Sequence, residues 1–128
     1  MKIAVSFPGG GVVTADLEGH EVRTDQPLPW GDDSAPAPFE LFLASIATCM
    51  GYYALRFCQE RKIATDGLGL SLETVRDEEK KRLSSIGVTL TLPPGFPEKY
   101  RPVIARAVDA CAVKQHMLEP PAFTLTVV

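Results

Sequence analysis

The chain has 128 residues, 45% hydrophobic and 23% charged, with a formal net charge of -3. That length suits one domain, expected to span residues 1–128, and it can bury a real core. The composition excludes wholesale disorder, and the weak negative charge argues against a nucleic-acid binder, which carries a basic face.

The opening "MKIAVSFPGGG" holds no apolar run of the ~7–15 residues that a signal peptide needs, so a reducing, cytoplasmic setting is expected. Residues 2–7 and Val12–Leu17 alternate as strands, and Gly9-Gly10-Gly11 reads as their hairpin turn. A phosphate-cradling loop would need a helix next, whereas "VVTADL" is β-branched and short. A third short strand is expected near Glu21–Thr24, followed by a proline-rich loop over Asp25–Pro38. Pro38 suits a first helical position and Glu40 complements the macrodipole, so a helix is predicted from Pro38 to about Lys62, with Asp66–Gly69 as its exit. Leu70–Val75 and Ile86–Leu92 read as strands joined by "RDEEKKR" (Arg76–Arg82). That run mixes both signs, as a solvated connection does and a phosphate-tracking patch does not. "LPPGFPEK" breaks the pattern, a second helix is predicted from about Pro97 to Val113, and "PPAFTLTVV" closes the chain as a strand. The order β-β-β-α-β-β-α-β is an α+β pattern of helices on a mainly antiparallel sheet.

Between Glu40 and Arg56 lie fifteen uncharged residues, fewer than the ~20 of a membrane span. A buried core helix is expected, and no membrane partner. Phe39, Leu41, Phe42, Leu43, Ile46, Met50, Tyr53, Leu55 and Phe57 nevertheless cover every side of it, and a helix apolar all round must be covered all round. One sheet covers one side, so a second subunit is expected on the other, giving a homodimer.

Of the three cysteines, Cys49 and Cys58 are nine residues apart, about 900° around a helix, and point to opposite faces. Cys111, near the end of the second predicted helix, is free to approach either. None forms a C-x-x-C pair, so neither a structural zinc site nor a thioredoxin-like motif is expected. Cys58, at the charged helix end, reads as a small packed hydrophobe.

"PFELFLASIATC", ending at Cys49, resembles the first thiol segment of the OsmC/Ohr family, the osmotically induced and organic-hydroperoxide-resistance proteins. "CAVKQHMLEPPAFTLTV", starting at Cys111, resembles the second, and "GLGLSLE" and "IGVTLTLPPGFPEKYRP" fit between them in order. The resemblance runs from about Asp33 and is closer to the shorter, OsmC-like branch. It implies an intertwined dimer with the active site at the subunit interface, and thiol-dependent reduction of organic hydroperoxides without a cofactor. It also implies a reactive Cys49 paired with Cys111, the two forming a disulfide on oxidation. In the family's peroxidases a Glu stands ten residues before the first Cys and holds an Arg from the N-terminal hairpin; here Phe39 takes that position, Glu40 is nine before, and Arg23 is the only arginine ahead of the helix.

Cys49 lies ~16 Å beyond the helix start, out of reach of that helix's macrodipole. Its thiolate is therefore expected to need a cationic partner, from Arg56, Arg23 or Lys114. Cys111, at a helix C-terminus, would be disfavoured as a thiolate, which assigns attack to Cys49 and resolution to Cys111. Tyr52 and Tyr53 share the Cys49 side of the helix, either as core packing or as pocket walls. Trp30 and Phe39 are further candidate pocket residues. Glu40 reads as a first-turn charge or as an orienter of a catalytic arginine, His116 as a base for Cys111 or a loop residue, and His20 as a surface residue. No metal site is expected.

Two functions fit. One is a thiol peroxidase using a small apolar hydroperoxide and a dithiol or protein-thiol reductant. The other is a non-catalytic dimer whose apolar cleft binds a small ligand or senses oxidants.

Overall fold

The computed structural model describes all residues from Met1 to Val128. Three strands, β1 (Ile3–Gly9), β2 (Val12–Leu17) and β3 (His20–Thr24), form an antiparallel sheet in the order β1-β2-β3. The β2–β3 link is two residues, Glu18 at φ 54° and Gly19 at φ 100°, a turn whose twist matches that of its strands. Asp16 Oδ1 accepts the Gly19 N–H at 2.9 Å and locks it. These strands and the loop after them belong to a compact unit, Met1–Ala44; Ser45–Val128 form a second.

The proline-rich loop of the first unit is built around a buried carboxylate. Asp25 is 1% exposed. Its oxygens accept the N–H groups of Gln26 (2.7 Å), Asp32 (3.3 Å) and Ser34 (3.0 Å) and the Ser34 hydroxyl (2.5 Å). The Ser34 hydroxyl, followed by the Ser34 and Gln26 amides, lowers its pKa to about 2. The loop wraps so tightly that a Cβ on Gly31 would sit 2.3 Å from Asp25 Oδ1.

Helix α1 (Pro38–Glu60) begins as predicted. Glu40 reaches back to accept the Ala37 N–H at 2.8 Å, one half of a capping box. It ends at Glu60, two residues earlier than expected. Lys62 takes a left-handed φ of 54°, and Ile63 N–H returns to Cys58 C=O at 2.9 Å, the bond pattern that satisfies a helix's last carbonyls. Only Ile46, Met50, Ala54, Phe57 and Cys58 are buried along its 23 residues, and by length and composition the helix is apolar enough to cross a membrane. The fully buried core helix expected from its apolar surround is thus not complete within one chain.

In the second unit, β4 (Gly69–Asp77) and β5 (Arg82–Thr91) pair antiparallel, Leu70 opposite Leu90 and Leu72 opposite Val88. The charged run supplies the ends of both strands as well as the turn between them. Beyond a 3-10 turn (Glu98–Tyr100), α2 (Arg101–Asp109) buries Ile104 and Val108. Phe57 packs 5.8 Å from the Tyr100 ring, edge-on, and 6.2 Å from Phe96.

Two expectations are corrected here. The second predicted helix is broken: Ala110 ends α2, Cys111 leaves helical geometry at ψ 122°, and α3 (Ala112–Leu118) starts afresh. No Gly or Pro marks the break; the amides it frees bond instead to a sulfur, described below. The predicted closing strand is absent, and Pro120–Val128 form no regular structure. A strand needs a ladder partner, the segment pairs with neither sheet of this chain, and Pro120 and Pro121 lack N–H donors. Phe123, Leu125 and Val127 stay about nine-tenths exposed. The architecture remains α+β, with antiparallel sheets and one long helix.

Candidate active site

The break between α2 and α3 brings two thiols together. Cys49 sits in the middle of α1 and is half-buried; Cys111, the cap residue of α3, is 0% exposed. Burial pushes the Cys49 thiol up, but the Cys111 S–H and the N–H groups of Val113 and Ala112 donate to its sulfur and together hold its pKa below the ordinary thiol value. For Cys111 burial pushes the other way without sufficient compensation. The Lys114 N–H eases the rise, the Cys49 sulfur adds to it, and the pKa ends above the ordinary value. One thiol is thus disposed to ionise and its neighbour to stay protonated.

Within this chain the Cys49 sulfur has no cationic partner, where one was expected. None of the groups acting on it is a charged side chain. Arg56 is committed to Glu60 (Nε to Oε1, 3.1 Å) and to the Tyr52 hydroxyl (3.4 Å), and Lys114 to Asp109. Helix α1's dipole fades a turn from its start, as reasoned, but the unpaired amides at the start of α3 point at the sulfur instead. The placement of Cys111 is also corrected. It follows α2 but heads α3, so the high cost of ionising it comes from burial and the adjacent Cys49, not from a helix C-terminus.

Cys58 is fully buried and its thiol is pushed up by burial. The other sequence-selected residues lie as follows. Tyr52 and Tyr53, ring centroids 6.2 Å apart, line a cleft of about 480 Å³ with Arg56, Glu60, Val103 and Ala107. In the first unit, Arg23 is exposed, its Nη2 3.5 Å from Ser34 Oγ, and makes no ion pair with Glu40, whose carboxylate is taken up by the helix cap. Trp30 is 78% exposed on the Asp25-centred loop, and Phe39 is exposed with its ring 5.4 Å from Phe42. His116 Nδ1 lies 2.7 Å from the Ala112 carbonyl oxygen, and His20 is exposed on β3. No three His, Cys, Asp or Glu side chains gather as metal ligands.

Sequence reasoning missed two features of this unit. The amides of Ala112 and Val113 carry no side-chain signal. A second cavity, about 350 Å³, is walled by Ile46 and Met50 of α1, Val88 of β5, and Met117, with the Lys114–Asp109 pair at its edge. Ile46 and Met50 flank Cys49 in sequence, while Asp109 and Lys114 flank Cys111. An apolar molecule with one polar end suits such a lining.

A family model described as "OsmC-like protein" matches residues 31–126. Among solved structures, a Psychrobacter arcticus protein whose name proposes a role in the osmotic-stress and detoxification response superposes with a TM-score of 0.74 at 21% identity, over 90% of this chain and 86% of that one. An OsmC-like protein of Mycoplasma pneumoniae gives 0.70 at 14%, over 93% and 87%. The organic hydroperoxide resistance protein OhrB of Bacillus subtilis gives 0.53 at 22%, over 90% and 88%. A search of the curated proteins returned no match.

Proposed function

The chain belongs to the OsmC-like protein family, and on that premise we propose that it is a thiol-dependent peroxidase reducing organic hydroperoxides to alcohols. The observation that carries the reading is the asymmetric thiol pair: an accessible sulfur whose ionised form is hydrogen-bonded, against a buried one kept protonated. The Cys49 thiolate attacks the O–O bond, takes up the hydroxyl oxygen as a sulfenic acid and releases the alcohol. Cys111 then displaces water to form the disulfide, which a dithiol or protein thiol of a reducing cytoplasm returns to two thiols.

Lowered pKa alone gives little. An ordinary thiol of pKa ~8.5 is a few per cent thiolate at pH 7. Bringing its pKa to ~6 gains roughly 30-fold in thiolate and loses roughly tenfold in nucleophilicity. A larger contribution would come from holding an apolar peroxide beside a fixed sulfur, the effective-concentration term of catalysis, and the candidate holder is the cavity of about 350 Å³ whose lining residues neighbour Cys49 and Cys111 in sequence. The uncovered apolar sides of α1, with Tyr52 54% and Phe39 56% exposed, support a homodimer closed over that helix.

Anaerobic thiol counting tests the reading. One equivalent of cumene hydroperoxide should consume two thiols in wild type and none in Cys49→Ser, and peptide mapping should recover Cys49 joined to Cys111. Cys49 found as sulfinic acid beside a free Cys111 would remove the resolving step. No thiol loss at all would leave the second function, an OsmC-like dimer binding a small apolar ligand.

A further inference from the structure

Reduction of a hydroperoxide creates an alkoxide, and something must protonate it. Among the groups of residues 45–128 that act on the Cys49 sulfur, only one carries a transferable proton. The amides of Ala112 and Val113 do not ionise, whereas the Cys111 S–H does. No other titratable side chain of the surrounding elements, Tyr52, Tyr53 and Arg106 included, is among the groups acting on that sulfur, and several are engaged elsewhere. On α1, Arg56 donates to Glu60 and to the Tyr52 hydroxyl. At the α2–α3 junction Lys114 holds Asp109, and His116 lies against the Ala112 carbonyl. Cys111 itself is fully buried, so bulk water does not take its proton.

We propose that Cys111 is the general acid of the peroxide step as well as the resolving thiol. Its proton passes to the departing alkoxide as the O–O bond opens, and the thiolate so created attacks the new sulfenic acid. This rests on the peroxidase reading above.

The electrons and protons balance. In the reactive form of the pair Cys49 has lost its proton to solvent, and Cys111 keeps its own, since two adjacent thiolates repel. Cys49–S⁻, R–O–OH and Cys111–SH become Cys49–S–OH, R–OH and Cys111–S⁻: the S–O bond forms, the O–O bond breaks, sulfur is oxidised by two electrons. Cys111–S⁻ then attacks the Cys49 sulfur, the S–S bond forms, and hydroxide leaves, taking a proton from solvent to become water. The consequence is ordering: the resolving thiolate comes into existence only when the sulfenic acid it must meet has just been made.

The test measures sulfenic acid formation at Cys49 in a single turnover, by rapid quench with a sulfenic-acid trap. Wild type, Cys111→Ala and Cys111→Ser are compared with alkyl hydroperoxides graded in the acidity of the alcohol they release. The Cys49 thiolate fraction of each variant is titrated by ultraviolet absorbance and divided out. A general acid contributes ~10²–10⁴-fold. Cys111→Ala is therefore expected to form sulfenic acid about 10²-fold more slowly and to depend more steeply on alcohol acidity. Cys111→Ser, a donor but a far weaker acid, falls between. A Cys111→Ala rate equal to wild type, with the same dependence, would show Cys111 to be a resolver only. Should either variant misfold, wild type alone decides: a steep dependence on alcohol acidity there overturns the proposal. Wild type that consumes no hydroperoxide instead overturns the peroxidase reading beneath it.

Discussion

Replacing Gly31 with Ala asks whether the loop around Asp25 is as tightly built as its bonds imply. The added Cβ would lie 2.3 Å from Asp25 Oδ1, 2.5 Å from the Gln26 carbonyl oxygen and 2.9 Å from the Gln26 nitrogen. Non-bonded atoms settle near 3.5 Å, so these neighbours must retreat by roughly 1 Å. Two of the three are backbone and cannot swing aside as a side-chain end can. Overpacking of this kind costs about 1–3 kcal/mol, and a backbone hydrogen bond opened by the retreat adds about 1–2 kcal/mol, a total of about 2–5 kcal/mol. With an unfolding entropy near 2.1 cal/mol/K per residue, 128 residues give about 0.27 kcal/mol/K, and Tm should fall by roughly 7–18 °C. Gly10→Ala is the matched control. Gly10 has a left-handed φ of 58° and nothing within 4 Å of an added Cβ, so it loses only the backbone preference, about 1–2 kcal/mol and roughly 4–7 °C. Circular dichroism melts at neutral pH compare the two. A Gly31→Ala shift no larger than that of Gly10→Ala would refute the crowding argument.

Three further outcomes are expected. The Asp25 carboxyl, lowered to about pKa 2 by Ser34 and the loop amides, contributes stability that is complete above its unfolded pKa of ~3.9 and is lost as pH falls towards about 2. Ser34→Ala removes the largest cause and should move acid unfolding to higher pH, and an unmoved acid transition would contradict it. Cys58→Ala should leave peroxide-driven thiol loss unchanged, since that sulfur is buried away from the pair, and a loss matching that of Cys49→Ser would reject the helical-face separation. Sedimentation at micromolar concentration should give a dimer, and a stable folded monomer there would fail the proposed closure over α1.

The readable parts of the sequence were those where side chains announce themselves. Pro38 and Glu40 fixed the start of α1 because a missing N–H and a carboxylate have distinct uses in a first helical turn. Gly9-Gly10-Gly11 and the alternation on either side marked the β1–β2 hairpin, although the sequence reading placed β3 one residue late. What stayed hidden depended on backbone or on distance. Cys111 falls in register with Ile104 and Val108, so the pattern read straight through Ala110, and nothing local showed that the chain turns there to present amides to Cys49. Asp25 was unremarkable among loop residues because its donors come from positions up to nine residues ahead. The tail alternates as a strand does, but alternation cannot supply the neighbour that a ladder requires. The pairing of Cys49 with Cys111 came from the family resemblance, and helical spacing separated only Cys49 from Cys58.

Cys58 gives the experimenter something that the chemistry does not use. Its sulfur is wholly enclosed between α1 and its surroundings, and burial keeps it protonated, so a thiol reagent reaches it only when that part of the fold opens. The labelling rate of Cys58 in a Cys49→Ser, Cys111→Ser background therefore clocks native-state openings, in the way amide hydrogen exchange does. Cysteine counts made without denaturant will accordingly fall short of three, the number in the sequence. The shortfall would track how far the interior breathes, and its change on adding a hydroperoxide analogue would report ligand binding without any catalytic turnover.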